Sequence, residues 1–167
     1  MTVPKSLMAY VDSKKVNYSH ILHPAAYTAE DVAHSIHCPK HQLAKVIAIH
    51  ADDRDLLAIL PACDKLDMKS LKRELGSREV TLFSETELKT AFNDCEIGTT
   101  PVFGHLYGMD VIASTNLLED AEIYFNAGTH TDAMKCTLEE FINIEHPVFA
   151  QISTLHKDNF VCRDLDY

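Results

Sequence analysis

The sequence predicts an α+β fold in which a mixed, largely antiparallel sheet is surrounded by helices. Three observations carry that prediction. Two apolar runs, Val46 to Ile49 and Leu56 to Leu60, flank the polar stretch Asp52-Asp53-Arg54-Asp55 as the arms of a β-hairpin do. Thr28, Asp67, Ser84 and Thr137 each stand directly before a helical repeat of apolar residues, where a side chain can cap the first turn. Strand-like and helical segments also mix hairpins with helices, without the strict strand–helix alternation of a parallel sheet.

Taken in order, Leu7 and Val11 predict a short opening helix, and the alternation from Val16 to Leu22 predicts a strand. Thr28-Ala29-Glu30-Asp31 resembles a capping box with Asp in the usual place of Glu. The helix it opens carries Val32, Ala33 and Ile36 and stops at Pro39. Both hairpin arms are apolar on both faces, so helices or another sheet must cover each side. Asp67 can cap a helix of Met68, Leu71 and Leu75, and Gly76 falls where a left-handed terminal residue is wanted. Glu79 to Phe83 reads as a strand, and Ser84-Glu85-Thr86-Glu87 opens a helix with Leu88, Ala91 and Phe92. Beyond the turn-rich Gly98 to Gly104, strands are expected around Met109 to Ala113, Ala121 to Phe125 and Asp132 to Cys136. Thr137-Leu138-Glu139-Glu140 then caps a last helix of Phe141, Ile142 and Ile144.

At 167 residues and 46% hydrophobic content, with no repeat or Gly/Ser linker, residues 1–167 are expected to form one domain around one core. The five cysteines are odd in number and contain no Cys-x-x-Cys, a usage that suits a reducing cytoplasm. The first residues lack the apolar core of a signal peptide and no run is long enough to cross a bilayer, which predicts a cytoplasmic protein without a membrane partner. A net charge of −10 argues against the extended basic surface of a non-specific DNA binder. Lys65, Lys69, Lys72, Arg73 and Arg78 are nevertheless concentrated in one short interval, either as a solvated helix face or as a local basic patch.

Chemistry has few places to sit. Lys45 lies near the start of the first hairpin arm, on the face of Ile47 and Ile49. Its ammonium either escapes to water at the strand end or occupies an apolar-lined cleft, held for an anion such as a phosphate. Two glycine-bearing segments, Gly98-Thr99-Thr100-Pro101 and Asn126-Ala127-Gly128-Thr129-His130, adjoin strand-like sequence; each is either an ordinary turn or a place where backbone N–H groups approach a ligand. His130 is a polar group on the second, able to exchange a proton near neutral pH. The cluster His34, His37, His41 invites a metal, but Pro39 ends the helix before His41 and no second ligand set has regular spacing, so metal and cofactor are expected to be absent. Nucleophile-elbow, P-loop and dinucleotide motifs are missing.

In their order, the capped helix at Thr28, Leu43-Ala44-Lys45-Val46-Ile47, Leu57-Ala58-Ile59-Leu60-Pro61, Gly98-Thr99-Thr100-Pro101 and Gly128-Thr129-His130 resemble the YbaK/prolyl-tRNA-synthetase-associated editing family of stand-alone aminoacyl-tRNA deacylases. The resemblance covers about residues 20 to 145 and leaves the tail 146–167 unassigned. It implies a metal-independent hydrolase that removes a small, wrongly attached amino acid from tRNA, most often a proline acceptor. It assigns Lys45 to the phosphate of the terminal nucleotide, Gly98 to the border of the ester, and Gly128 to His130 to the closing of the pocket, with Thr28, Thr99, Thr100, Pro101, Gly128 and Thr129 contacting substrate. His130 is expected to position water or the amino group more than to act as a general base. The alternative is a non-catalytic module of the same fold that binds an aminoacyl or nucleotide ligand. Two features depart from the family: Val46 stands where many members have a small polar residue, and only two residues separate Gly98 from Pro101 where others often have three. The acidic surface implies weak intrinsic tRNA affinity, supplemented by a synthetase or elongation-factor partner.

Overall fold

The computed structural model describes residues 2–155. From the N-terminus, α1 (Lys5–Ser13) leads to β1 (Ser19–Leu22), α2 (Ala29–Ser35) and the hairpin β2 (Ala44–Ala51) and β3 (Arg54–Pro61). Next come β4 (Asp64–Leu66), α3 (Met68–Leu75), β5 (Val80–Leu82) and α4 (Glu85–Ala91). β6 (Asp110–Ser114), β7 (Glu122–Thr129) and β8 (Asp132–Thr137) precede α5 (Leu138–Glu145), β9 (Val148–Ala150) and β10 (Ser153–Leu155).

The hairpin is the spine of a five-stranded sheet ordered β5-β2-β3-β6-β9, antiparallel across β5, β2 and β3 and parallel across β3, β6 and β9. A second, antiparallel sheet is ordered β1-β8-β7, and β4 pairs with β10. The fold is therefore the mixed, largely antiparallel α+β arrangement that the sequence predicts. Its hairpin closes on a two-residue turn, Asp52-Asp53, with Asp52 at φ +55°, a conformation that aspartate tolerates better than most residues. The Asp52 carboxylate accepts hydrogen bonds from the N–H groups of Arg78 and Glu79 at 3.0 and 2.9 Å, which brings β5 alongside β2.

Strand parity then divides the core. Ala48, Leu57 and Ile59 face the second sheet and pack with Phe103, Phe125 and Phe141, while Ile49, Ala51, Leu56 and Ala58 face the other way, under α3. The anchor of α3 is Leu71, fully buried, a side chain whose burial contributes about 1.5–3 kcal/mol. Asp67 caps α3 by accepting from Lys69 and Ser70, and Gly76 ends it at φ +61°. Ser84 and Thr137 form complete capping boxes with Glu87 and Glu140, and Thr28 accepts from the Asp31 N–H.

Several boundaries differ from expectation. The first strand is confined to Ser19–Leu22, and β7 runs on through Gly128 to Thr129, so the second glycine segment is strand with a β-bulge between Asn126 and Thr129. The three-residue strands β4, β9 and β10 went unpredicted because pairing, not pattern, defines them. β9 and β10 also give residues 148–155 a place in the sheets, whereas 156–167 lie outside the described residues. Among the described residues no helix is long and apolar enough to cross a membrane.

Candidate active site

Lys45 is the second residue of β2, half-buried, on the sheet face that α3 covers further along. Its Nζ donates a 2.8 Å hydrogen bond to the carbonyl oxygen of Asp64 in β4, which holds the ammonium at the edge of a cleft and keeps it from swinging into bulk water. Partial burial pushes its pKa below the ordinary lysine value, opposed by the nearby Asp64 and Cys63. Of the two fates open to Lys45 in the sequence, the structure selects the cleft.

That cleft measures about 250 Å³. Thr28 comes to it from the start of α2, Lys45, Val46 and Ile47 from β2, Gly98 and Thr100 from the loop after α4, Asn126 from β7 and His130 from the β7–β8 turn. Gly98 has φ +84°, a backbone conformation open to glycine and strained for other residues. Past Gly98 and Thr100 a second hollow of about 200 Å³ continues over Ala48, Leu57, Phe83 and Leu88, and every further side chain lining it is apolar. A larger, open cleft of about 420 Å³ lies at the opposite end of the hairpin, beside His105 and Glu145. The Glu145 carboxylate there is already satisfied by the N–H of His105, its ring and Tyr10, so it serves to tie α5 to α1.

Four of the nine residues singled out in the sequence lie behind the cleft instead of lining it. Thr99 is buried: its hydroxyl donates to Glu96 O at 2.6 Å, and its carbonyl accepts from Gly128 N at 2.9 Å. Pro101 is buried beneath the loop. Gly128, at φ +88°, packs so closely against Pro4 that a Cβ would sit 2.4 Å from the proline Cδ. Thr129 is buried and donates its hydroxyl to Asp132. These residues scaffold Lys45, Gly98, Thr28, Thr100 and His130, which the structure does bring together.

The scaffold is a cross-stitch between the two glycine segments. Glu96 N donates to Gly128 O, and the Glu96 carboxylate accepts from His130 N at 2.6 Å, while His130 O accepts from Ala26 N at 3.0 Å. On the far side of the turn, Asp132 accepts from Thr129 and Thr131 and pairs with His20 at 2.6 Å. Burial pushes the Asp132 carboxyl up, but these hydrogen bonds outweigh it and leave its pKa below the usual carboxylate range. Three contributors were missed in the sequence. Glu96 had no legible signal, since its partner is 34 residues away. Asn126, named only as the start of its glycine segment, lines the cleft with a buried amide oxygen that has no hydrogen-bond partner among the described residues. Tyr27 is 74% exposed, with its ring 4.6 Å from that of His130; its place beside the Thr28 cap was the available clue.

Of the clustered histidines, His41 pairs with Asp120 at 2.9 Å, and no group of three or more His, Cys, Asp or Glu side chains among the described residues is arranged to hold a metal ion.

With this geometry in view, residues 23–144 match the family profile of the aminoacyl-tRNA editing domain. Among solved structures, a candidate trans-editing enzyme for prolyl-tRNA synthetase superposes with a TM-score of 0.81 at 17% identity, covering 92% of this chain and 99% of that one. A hypothetical protein superposes at 0.80 and 14%, covering 90% and 100%. A scaffold protein used for grafted epitopes superposes at 0.80 and 16%, covering 90% and 96%. At these identities the structural likeness speaks for the fold alone. None of the curated proteins shows significant similarity to the chain.

Proposed function

Because the chain belongs to the aminoacyl-tRNA editing domain family, we propose that it is a deacylase that cleaves the ester of mischarged aminoacyl-tRNA, releasing a small amino acid from a proline acceptor. The observation that carries this is the convergence of Lys45, Thr28, Gly98, Thr100 and His130, from four separate segments, on one small cleft.

An aminoacyl ester is already activated, so the protein has only to fix its carbonyl, orient a water and stabilise the developing oxyanion. Lys45, tethered to Asp64 O, holds the phosphate of the terminal nucleotide as a compact cation. The backbone N–H groups of Gly98 and Thr100 have no hydrogen-bond partner among the described residues and stand available to the oxyanion. His130, fixed through its backbone by Glu96 and Ala26, presents its ring to water or the amino group, and the exposed ring of Tyr27 beside it offers a face to the terminal base. The cleft of about 250 Å³ and the apolar hollow of about 200 Å³ that continues it share Val46, Ile47, Gly98 and Thr100, a divided space in which fit discriminates side chains by about 1–3 kcal/mol per methylene. Val46 makes its wall apolar where many members are polar, so selection here works by shape.

The test is a deacylation panel: proline-acceptor tRNA charged with alanine, serine, cysteine or proline, plus alanyl- and threonyl-tRNA, with wild type and Lys45→Ala. Release of one small amino acid, lost in the variant, is the expected outcome. No release above buffer from any charged tRNA, with a synthetase present, refutes the proposal in favour of a binding module.

A further inference from the structure

We infer that the outer face of α3, together with Lys65 just before it, is an RNA-docking surface that follows the backbone phosphates of the acceptor stem whose 3′ end enters the cleft. The identity of the RNA rests on the proposed function; the surface itself does not.

Residues 65 to 78 hold five basic and two acidic side chains in a chain of net charge −10, so positive charge is gathered here while the rest of the molecule is strongly negative. In the structure Lys65, Lys69, Lys72 and Arg73 are all exposed. Lys69, Lys72 and Arg73 are three and four positions apart on the helix and share its outer face, opposite the buried Leu71. Among the described residues no carboxylate lies within ion-pair distance of Lys65, Lys69 or Lys72, whereas Lys40, Lys89 and Lys135 each pair with a glutamate.

A solvated helix face accounts for part of this. Lys72 and Arg73 lie in the last turn, where a cation suits the helix dipole. Lys69 does not fit that account. It sits in the first turn, where α2, α4 and α5 each carry two acids and α3 carries none. A positive charge there works against the dipole, and Lys65 lies outside the helix altogether.

The placement supplies the direction. Lys65 follows Asp64, whose carbonyl holds the Lys45 ammonium, so the stripe begins one residue from the anchor of the cleft's own cation. α3 then runs over the same sheet face as Lys45, from the Lys45 end of β2 toward the turn at Asp52, where Arg78 meets the Asp52 carboxylate through its N–H. Its eight residues extend about 12 Å at about 1.5 Å each, enough to follow a few phosphates of one strand. A strand whose terminal phosphate reaches Lys45 thus meets further cations in line, and a negative chain acquires local affinity for RNA.

The experiment measures binding of an uncharged acceptor-stem RNA hairpin ending in CCA, from 50 to 250 mM salt, for wild type and for Lys65→Gln/Lys69→Gln/Lys72→Gln. The three positions are exposed, and matching thermal unfolding curves verify the fold. Expected is a fall of about 2 to 3 in the slope of log affinity against log salt, with binding about 10- to 100-fold weaker at low salt. An unchanged slope, or no binding by wild type at 50 mM, overturns the inference, as does equal, equally lysine-dependent binding of a DNA hairpin. Deacylation of an aminoacylated CCA trinucleotide separates the two proposals. The triple variant should match wild type on that short substrate; if wild type binds the hairpin but cleaves no charged substrate, the deacylase proposal fails and the docking surface stands.

Discussion

Gly128→Ala tests whether the site's scaffold is understood. The backbone at this position has φ +88°, which costs a residue with a Cβ about 1–2 kcal/mol. The added methyl would stand 2.4 and 2.6 Å from Cδ and Cγ of Pro4, a ring fixed to the start of α1, and 3.5 Å from Cys95 Sγ. Such overpacking costs about 1–3 kcal/mol more. The expected loss of about 2–5 kcal/mol corresponds to a fall in Tm of about 5–15 °C for a chain of this size. Urea unfolding measures it directly. Pro4→Ala removes the clashing atoms, so the double variant should regain the steric part and leave only the backbone part, a coupling of about 1–3 kcal/mol in a double-mutant cycle. A Gly128→Ala variant within about 0.5 kcal/mol of wild type, or strictly additive single changes, would refute the argument.

Two further predictions concern protonation. If the Lys45 ammonium holds a phosphate, its lowered pKa makes kcat/KM, corrected for hydrolysis in buffer, decline on the alkaline side before an ordinary lysine would titrate. Lys45→Ala should lose about 10- to 150-fold at neutral pH, the worth of a charged hydrogen bond, and lose that alkaline limb; a wild-type profile flat through the lysine range counts against the role. Asp132 has a depressed pKa, so its contribution is full above the ordinary carboxylate value of 3.8 and disappears as pH falls through its lower folded value. Asp132→Asn should therefore be about 1.5–3 kcal/mol less stable at pH 7, with the gap closing below about pH 4; a gap independent of pH contradicts the network around the His130 turn.

What the sequence disclosed follows from the range of the interactions involved. The caps at Thr28, Asp67, Ser84 and Thr137 act within three residues and all four form, although at Thr28 only the bond from the Asp31 N–H is made and the reciprocal half of the expected box is not. The β2–β3 hairpin is likewise local, an apolar pattern closed by two aspartates. β4, β9 and β10 are three residues long and exist through partners far along the chain, as Ser153 opposite Leu66 illustrates, so no pattern announces them. The site divides in the same way. Lys45 is legible as a charge in an apolar strand, but whether a threonine looks into the cleft or away depends on tertiary contacts. Thr100 lines it while Thr99, one residue earlier, turns inward to Glu96. Gly128 is legible as a special position for the wrong reason: its missing side chain accommodates Pro4, not a ligand.

The bonds joining Thr99, Glu96, Gly128 and His130 make two distant pieces of chain mechanically one body. A residue added between Gly98 and Pro101 would not lengthen a free loop. It would shift the Thr99 carbonyl away from Gly128, disturb the bulge in β7 and reorient the turn that carries the imidazole. Loop length and imidazole direction are therefore one coupled setting in this protein, and residues 96–101 and 126–132 can be exchanged only as a matched pair.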